Sequence, residues 1–551
     1  MSGILVFFPT YNEAGNVRPL IGAIRRELPS ADVLVVDDAS SDGTGSILDG
    51  IAAAEPRVRV VHRPRKMGVG TAHKLAMMHA RDHGYDLLVT MDADFSHHPR
   101  YLPRMVKLLA DNDFVTGSRY VAGGRLDYGL ARTLLSRSAN LVAKLALGMP
   151  LEENTTLFRG FRRALLERLD IAGIRSEGYS FAVESLYRIG RITTHLAEFP
   201  IHFEDRFHGA SKISRVEIVR GVLTVARLLV ARLLRRSASA GDPSLSADGT
   251  PCGGCGLRYA VQVHPAREPD RPGATSAYDC ATLERRSHGR ILQCLACGLV
   301  FSPPRLGSEA LLRAYRDVED PTYLEHIAAR RATFRYNMRS LLPYLEPSHR
   351  VLEVGCYCGA FLEVAGEHEV EVVGLEPSRW AARIARERQS APVFEGTLAE
   401  LPEEAGVFDA VVAWDVLEHF AEPGRELRYM NRRLDVGGLL AFSTLMIDNW
   451  FPRLAGRHWP WFMDMHLYYF TEETLSDMLA ETGFVIVDSQ PYCHVVTLSY
   501  LLLKLATLGV PLAARLGSLL SGRPLGELLL PFRIGDIKLF VCRKSSDVDA
   551  F

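Results

Sequence analysis

No stretch of the chain approaches the roughly 20 uninterrupted apolar residues that span a bilayer. No basic-then-apolar leader opens it either, since Ile4–Phe8 is too short for one and reads as a first strand. Charge of one sign is also missing. The 64 Lys and Arg face 65 Asp and Glu for a net charge of -1, which removes a global basic surface as an argument for nucleic acid. Cysteine is sparse, 9 in 551 residues, and is not spread as a disulfide framework, so a reduced, cytoplasmic setting is expected. Internal repeats are absent. What remains is a soluble globular composition, 47% apolar and 23% charged, on a chain too long for one core, which predicts two or three domains.

Composition marks the joints. Ser237–Thr250 (SASAGDPSLSADGT) is small, polar and Gly/Pro-bearing, a linker composition. Before it, apolar strands alternate with helical patterns at Ile4–Phe8, Val33–Asp37, Val58–His62, Leu87–Met91 and Phe114–Thr116. After it comes a cysteine-bearing segment, and then a second α/β series at Val351–Val354, Val370–Leu375, Val393–Phe394, Ala410–Trp414 and Leu439–Ser443. Alternation of this kind predicts α/β sandwiches with mostly parallel sheets. The expected organisation is a first domain over 1–236, a linker over 237–250, a small ribbon over 251–304 and a second α/β domain over 305–551.

In Asp86–Pro99 (DLLVTMDADFSHHP) an apolar run ends in Asp92-Ala93-Asp94. A buried strand would deliver both carboxylates at its C-terminal tip, the edge where open α/β sheets bind ligands. Carboxylates there suit a hard divalent cation holding a nucleotide diphosphate; alone, the same residues would serve as an acidic helix cap. Two further tips lie beside it, Pro9-Thr10-Tyr11-Asn12-Glu13 and Val36-Asp37-Asp38-Ala39-Ser40-Ser41-Asp42-Gly43-Thr44.

With Lys66–Ala72, Gly117-Ser118-Arg119-Tyr120, Gly178-Tyr179-Ser180-Phe181 and Phe203-Glu204-Asp205-Arg206 continuing to Gly209, Ser211 and Lys212, the set resembles inverting family 2 glycosyltransferases of GT-A fold. More narrowly, it resembles the dolichol- or polyprenol-phosphate mannosyltransferases, from about Ile4 to Lys212. The resemblance implies that Pro9, Tyr11, Glu13 and Asp38 hold the nucleotide. It implies that Asp92 and Asp94 hold Mg or Mn, with Ala93 between them and Ser96 as a third ligand. Arg119, Arg206 and Lys212 would meet the phosphates of donor and acceptor, where several negative charges converge and need neutralising. GDP-mannose and a polyprenyl phosphate are the implied substrates; UDP-glucose or UDP-N-acetylglucosamine is the alternative donor. Glu152–Arg163 (EENTTLFRGFRR) departs from the family, with Glu153 standing where Asp is typical and Leu157 replacing a small residue.

A polyprenol substrate requires membrane access, so peripheral association with the cytoplasmic membrane face is expected, with no nucleic-acid partner. Along Arg215–Arg236, Val216, Val219, Leu223, Val230 and Leu233 can share one helix face interrupted by Arg220, Arg227 and Arg232. A membrane-surface helix and a domain-packing helix both fit this pattern.

Cys252-Gly-Gly-Cys255 and Cys294-Leu-Ala-Cys297 form a paired CxxC, the spacing at which two turns present four sulfurs to a structural zinc. Cys280 between them reads as a bystander, with a substitute ligand as the alternative. Beyond, Glu353-Val-Gly355-Cys356-Tyr357-Cys358-Gly359 carries a strand into a glycine turn, and Glu376 ends the next strand where ribose hydroxyls would lie. With Phe408-Asp409-Ala410, Trp414-Asp415-Val-Leu-Glu-His419 and His466-Leu-Tyr-Tyr-Phe470, this part resembles class I S-adenosylmethionine-dependent methyltransferases, which have a Rossmann-like fold. The resemblance implies cofactor contacts from Glu353, Gly355, Cys356, Gly359, Glu376 and Asp415. His419 and His466 are candidates for a base, with a structural role equally open to each. Cys356 and Cys358 read as packing residues. Tyr357 stands where glycine is common, and a non-catalytic module with Tyr357 blocking the cofactor is the alternative. Val495–Pro531 is Leu-rich and reads as buried helices or a membrane-facing flap.

Overall fold

The computed structural model describes residues 3–126, 130–178, 180–203, 215–233, 250–267, 287–303, 307–507, 510 and 512–548. Tyr179, Arg206, Lys212, Cys280 and most of the 237–250 linker lie outside them. The chain divides into two compact units. One is Met1–Pro251 with Leu257–Gln262 and Cys294–Gly298, and the other is Cys252–Gly256, Val263–Gln293 and Leu299–Phe551.

The first unit is built on a seven-stranded sheet of β1 (Ile4–Thr10), β2 (Asp32–Asp37), β3 (Val58–His62), β4 (Leu87–Thr90), β5 (Phe114–Ser118), β6 (Arg159–Arg162) and β7 (Leu196–Pro200). Their spatial order is β3-β2-β1-β4-β6-β5-β7, with β1, β2, β3 and β4 parallel and β6 inserted antiparallel between β4 and β5. The central strands are near-continuous Val, Leu, Ile and Phe because helices cover both faces. Helix Ala14–Glu27 buries Val17, Leu20, Ile21 and Ile24, an i, i+3, i+4, i+7 stripe laid on Val6, Phe8, Val33 and Val35. Parallel strands bring the polar residues that end β1, β2 and β4 to one edge.

Helix Arg215–Leu233 turns two residues of the expected apolar face outward. Leu223 and Val230 are exposed, at 63% and 55%, whereas Thr224 and Leu228 are buried. Arg227 decides the rotation, its Nη2 donating to Oε2 of buried Glu184 at 2.5 Å, which turns the 224/228 row inward. Nearby helix Leu130–Leu147 buries Ala143 and Leu147 and exposes Leu141, Val142 and Leu145. No helix among the described residues is long and apolar enough to cross a membrane.

The second unit carries its own seven-stranded sheet: β8 (Arg350–Val354), β9 (Glu371–Glu376), β10 (Val393–Glu395), β11 (Phe408–Trp414), β12 (Leu434–Leu445), β13 (Phe484–Pro491) and β14 (Ile537–Lys544). The order is β10-β9-β8-β11-β12-β14-β13, parallel through β12 with β14 antiparallel to both neighbours. The order reverses beside β8, so a crevice opens at the tips of β8 and β11, where a Rossmann-like sheet binds its ligand. Short strands Ile291–Cys294, Val300–Phe301 and Tyr468–Tyr469 pair antiparallel in a separate small sheet. The Leu-rich stretch forms helices Leu498–Thr507 and Ala513–Leu520. Contrary to a fully buried reading, Leu512, Leu516, Leu519, Leu525 and Leu528 are exposed.

Candidate functional sites

At the first sheet's edge, Asp37 ties the first two tips together, accepting from Thr10 Oγ1 at 2.9 Å and Ser40 Oγ at 2.5 Å. Asn12 adopts φ 57°, and its backbone and side chain bond Ser40 and Ser41, which ties the first tip to the second. Lys66 Nζ stands 4.1 Å from the Tyr11 ring centroid. Asp38 is buried and accepts from Arg63 Nη1 at 3.0 Å and Gly68 N at 3.2 Å; burial holds its carboxyl above the usual range against the pull of Arg63. Arg63 carries no motif that would mark it in the sequence. Its Nε and Nη2 are buried with no acceptor among the described residues.

Asp92 and Asp94 follow β4 as expected. Ser96 donates its hydroxyl to Asp94 Oδ1 at 2.6 Å and its N–H to the same oxygen at 3.1 Å, so it orients the carboxylate it was expected to assist. His97 is buried behind them. Asp92 N donates to its Nδ1 at 3.1 Å, its Nε2 meets Thr156 Oγ1 at 3.1 Å, and burial holds its pKa low, so the ring is neutral. The buried Asp94 carboxylate, held by a backbone and a hydroxyl donor, and the Asp92 carboxylate, 36% exposed and 3.4 Å from His97 Nδ1, form a donor set that fits a hard divalent cation.

The unusual Glu153 has a defined part. Its carboxylate is fully buried and grips Arg119 in a bidentate pair, Nε to Oε2 and Nη2 to Oε1, both at 2.7 Å. Thr155 N and Thr156 N add donors to Oε1 at 3.2 Å each. Burial raises the Glu153 pKa, but Arg119 and these amides outweigh it and leave the group below its usual range. The guanidinium also lies 5.2 Å from the Phe203 ring centroid. Arg119 is thus held in one orientation by the residue that departs from the family pattern.

The two cysteine knuckles repeat one geometry. Gly256 N and Gly298 N close the turns onto Cys252 O and Cys294 O at 2.8 and 3.0 Å, and Gly254 N and Ala296 N each lie 3.4 Å from the first sulfur of their knuckle. N–H donors to sulfur favour the thiolate, so each knuckle has the turn geometry and donor chemistry that fit zinc. None of the eight described cysteines is in a disulfide.

In the second unit a cavity of about 760 Å³ opens at the tips of β8, β9 and β11, lined by Glu353, Gly355, Tyr357, Glu376, Asp415 and others. Gly355 has φ 73°, and a Cβ there would meet Val416 Cγ2 at 2.8 Å, so only glycine fits. Tyr357 takes φ 46° and sends its ring against Tyr323 and Trp380, centroids 4.5 and 6.2 Å away, which is how the turn accommodates it. Glu376 is buried, accepting Tyr357 N at 2.8 Å and Ser378 N at 2.7 Å, and burial raises its pKa to about 7. It therefore holds the glycine turn from below. Glu353 is also buried. Burial and Glu376 push its carboxyl well up, and its Oε2 has no partner among the described residues, a fit for a cofactor bearing N–H donors. Cys356 and Cys358 are buried, and burial pushes the Cys356 thiol up, which supports packing roles. Asp415, at φ 52°, accepts from Ser443 Oγ at 2.6 Å.

Beside this crevice, Glu418, His419 and His466 bring ligand-type atoms within 4.8 Å of one another, and all three line the cavity. His419 and His466 stand 47 positions apart in sequence, so only the fold brings them together.

Comparison with known proteins follows the same division. The glycosyl transferase family 2 domain matches residues 5–170 and a methyltransferase domain matches residues 324–489. Undecaprenyl-phosphate mannosyltransferase of Micrococcus luteus is 39% identical over 225 residues, covering 41% of this chain and 93% of that protein. Polyprenol monophosphomannose synthase of Mycolicibacterium smegmatis is 38% identical over 225 residues, covering 40% and 85%. Among solved structures, magnesium protoporphyrin IX methyltransferase of Synechocystis PCC 6803 is 15% identical with TM-score 0.28, over 42% of this chain and 92% of that one. YcgJ of Bacillus subtilis is 13% identical with TM-score 0.27, over 39% and 99%. The chain belongs to glycosyl transferase family 2 and carries a methyltransferase domain C-terminal to that part.

Proposed function

We propose that the chain is a two-site enzyme, organised as a glycosyltransferase over 1–236, a linker, a zinc ribbon over 251–304 and a methyltransferase over 305–551. The first site transfers mannose from GDP-mannose to a polyprenyl phosphate, and the second methylates a sugar or glycan-pathway substrate from S-adenosylmethionine. The observation that carries the first half is the junction of the Asp38–Arg63 pair with the Asp92/Asp94 tip on one sheet edge, in a chain 39% identical over 225 residues to a mannosyltransferase. Asp38, Arg63, Tyr11 and Glu13 would bind the nucleoside. Asp92 and Asp94 would hold Mg or Mn, which supplies charge neutralisation for the diphosphate. Arg119, fixed by Glu153, would meet a phosphate, joined by Arg206 and Lys212 from outside the described residues. An oxygen of the polyprenyl phosphate bonds to the anomeric carbon as the bond to the nucleoside diphosphate breaks, and the diphosphate leaves with the electron pair. A phosphate monoester is largely ionised at neutral pH, so the attack needs little general-base help.

The exposed Leu141, Leu145, Leu223 and Val230 support a membrane-surface reading for helices Leu130–Leu147 and Arg215–Leu233 at the cytoplasmic face. In the second half, Glu353, Gly355, Glu376 and Asp415 would seat S-adenosylmethionine, and the four-cysteine zinc has a structural role with no open position for catalysis. Incubation with labelled GDP-mannose and polyprenyl phosphate should label a lipid, and Asp94→Ala should abolish that product while leaving S-adenosylhomocysteine binding intact. An unlabelled lipid fraction from active wild type refutes the mannosyl assignment.

A further inference from the structure

The cavity wall beside the cofactor tips carries chemistry that methyl-donor binding does not use. His419 places Nδ1 3.0 Å from Met465 O, and His466 places Nδ1 2.8 Å from Trp461 O. A carbonyl can only accept, so both rings donate from Nδ1, and a neutral ring of that tautomer carries its lone pair at Nε2. Tyr315 OH lies 3.0 Å from the same His419 nitrogen, sharing its N–H as a second acceptor while donating its own hydrogen to Met465 O at 3.4 Å. Glu418 is buried, and its Oε2 accepts from Thr444 Oγ1 at 2.8 Å. The two rings meet edge to face with centroids 4.8 Å apart and planes at 70°. Each ligand-type group thus has an outer hydrogen-bond partner that sets its orientation, the support expected behind a metal's ligands. A lone structural histidine needs only one such bond and no converging carboxylate.

The geometry points to a divalent-cation site formed by Glu418, His419 and His466, whose open positions take hydroxyl oxygens of the methyl acceptor. Two imidazole nitrogens and one carboxylate select a transition cation such as zinc, manganese or cobalt over magnesium or calcium, which favour all-oxygen shells. Three protein ligands leave positions for substrate, and adjacent hydroxyls of a sugar can fill two of them. Cation binding also answers a chemical need, because a sugar hydroxyl holds its proton far above neutral pH and a bound cation favours the alkoxide. The oxygen then forms the bond to the sulfonium methyl as the S–CH3 bond breaks, giving the neutral thioether, with the hydroxyl proton released to solvent. This assignment rests on the methyltransferase reading above and narrows its acceptor to a hydroxylated one.

The test uses the full-length chain with zinc in the cysteine cluster and Asp94→Ala to weaken the other carboxylate site. Cobalt(II) alone is titrated and followed by visible absorption, and manganese(II) is examined by pulsed electron paramagnetic resonance. The expected result is a single cobalt equivalent without a thiolate charge-transfer band, and imidazole nitrogen coupling to manganese. Glu418→Gln and His466→Ala should weaken that equivalent about tenfold or more. Tyr315→Phe, a positioning change, should weaken it less. Calorimetry with S-adenosylhomocysteine on the same samples reports the fold and the cofactor site. Equal cobalt affinity in parent and variants overturns the proposal. So does a parent with no nitrogen-coupled manganese, whatever becomes of the variants. A parent that binds the cofactor product but no cation sinks the cation site alone, whereas failure to bind the cofactor product sinks the methyltransferase reading beneath it.

Discussion

Glu153→Gln is nearly isosteric, yet every contact of the carboxylate is with a donor. Oε1 receives Arg119 Nη2, Thr155 N and Thr156 N, and Oε2 receives Arg119 Nε. An amide NH2 at the Oε2 position faces only Arg119 donors and at the Oε1 position finds only the Thr155 hydroxyl able to accept, and the Arg119 charge stays buried without its counter-ion. Breaking a buried pair from one side costs about 3–5 kcal/mol, and because glutamine keeps one acceptor the lower end applies, about 3 kcal/mol. With a urea m-value of ~2 kcal/mol/M, the midpoint falls by about 1.5 M. The molecule provides its own reporter split, since all five tryptophans lie between Trp380 and Trp461. Far-ultraviolet circular dichroism should therefore show an early transition that tryptophan emission does not follow. A shift under about 0.3 M, or one that appears in the tryptophan signal, refutes the reasoning.

Acid should destabilise the same unit through His73, which is fully buried with its pKa held at about 3 by burial. Between the usual value of 6.5 and about 3 the unfolded chain binds a proton that the native ring refuses, so this contribution is complete above 6.5 and is lost as pH falls through that window. His73→Phe should flatten the slope of urea midpoint against pH there, and an unchanged slope would count against the assignment. Gly355→Ala adds a Cβ 2.8 Å from Val416 Cγ2 at a φ of 73°, and should lower S-adenosylhomocysteine affinity tenfold or more, about 1.4 kcal/mol or above, by calorimetry. Wild-type affinity in that variant contradicts a cofactor at this turn. Purified protein should contain zinc that strong chelators or Cys294→Ser remove, with a fall in melting temperature; protein without zinc that melts no lower contradicts a structural role.

Strand positions were readable because buried parallel strands are short apolar runs bounded by turn residues, as in Val33–Asp37 and Val351–Val354. The DxD tip and the paired CxxC were readable for a related reason: their chemistry is local in sequence. Arg63 was not, because a single arginine after β3 acquires meaning only when the fold lays it on Asp38, 25 positions away. The same holds for Glu418 with His466, and for Glu153, which looked like a departure until its grip on Arg119 was visible. Whether the Leu223 and Val230 face of helix Arg215–Leu233 packs or stays exposed was not readable, because apolar residues lie on several sides of that helix and one long-range pair, Arg227 with Glu184, sets its rotation.

The most direct measurement is a panel of nucleotide sugars offered with polyprenyl phosphate, with mass analysis of the lipid product in the presence and absence of S-adenosylmethionine. GDP-mannose should yield a hexose-phosphate lipid. A lipid product formed only from UDP-glucose or UDP-N-acetylglucosamine, or none from any donor, would contradict it.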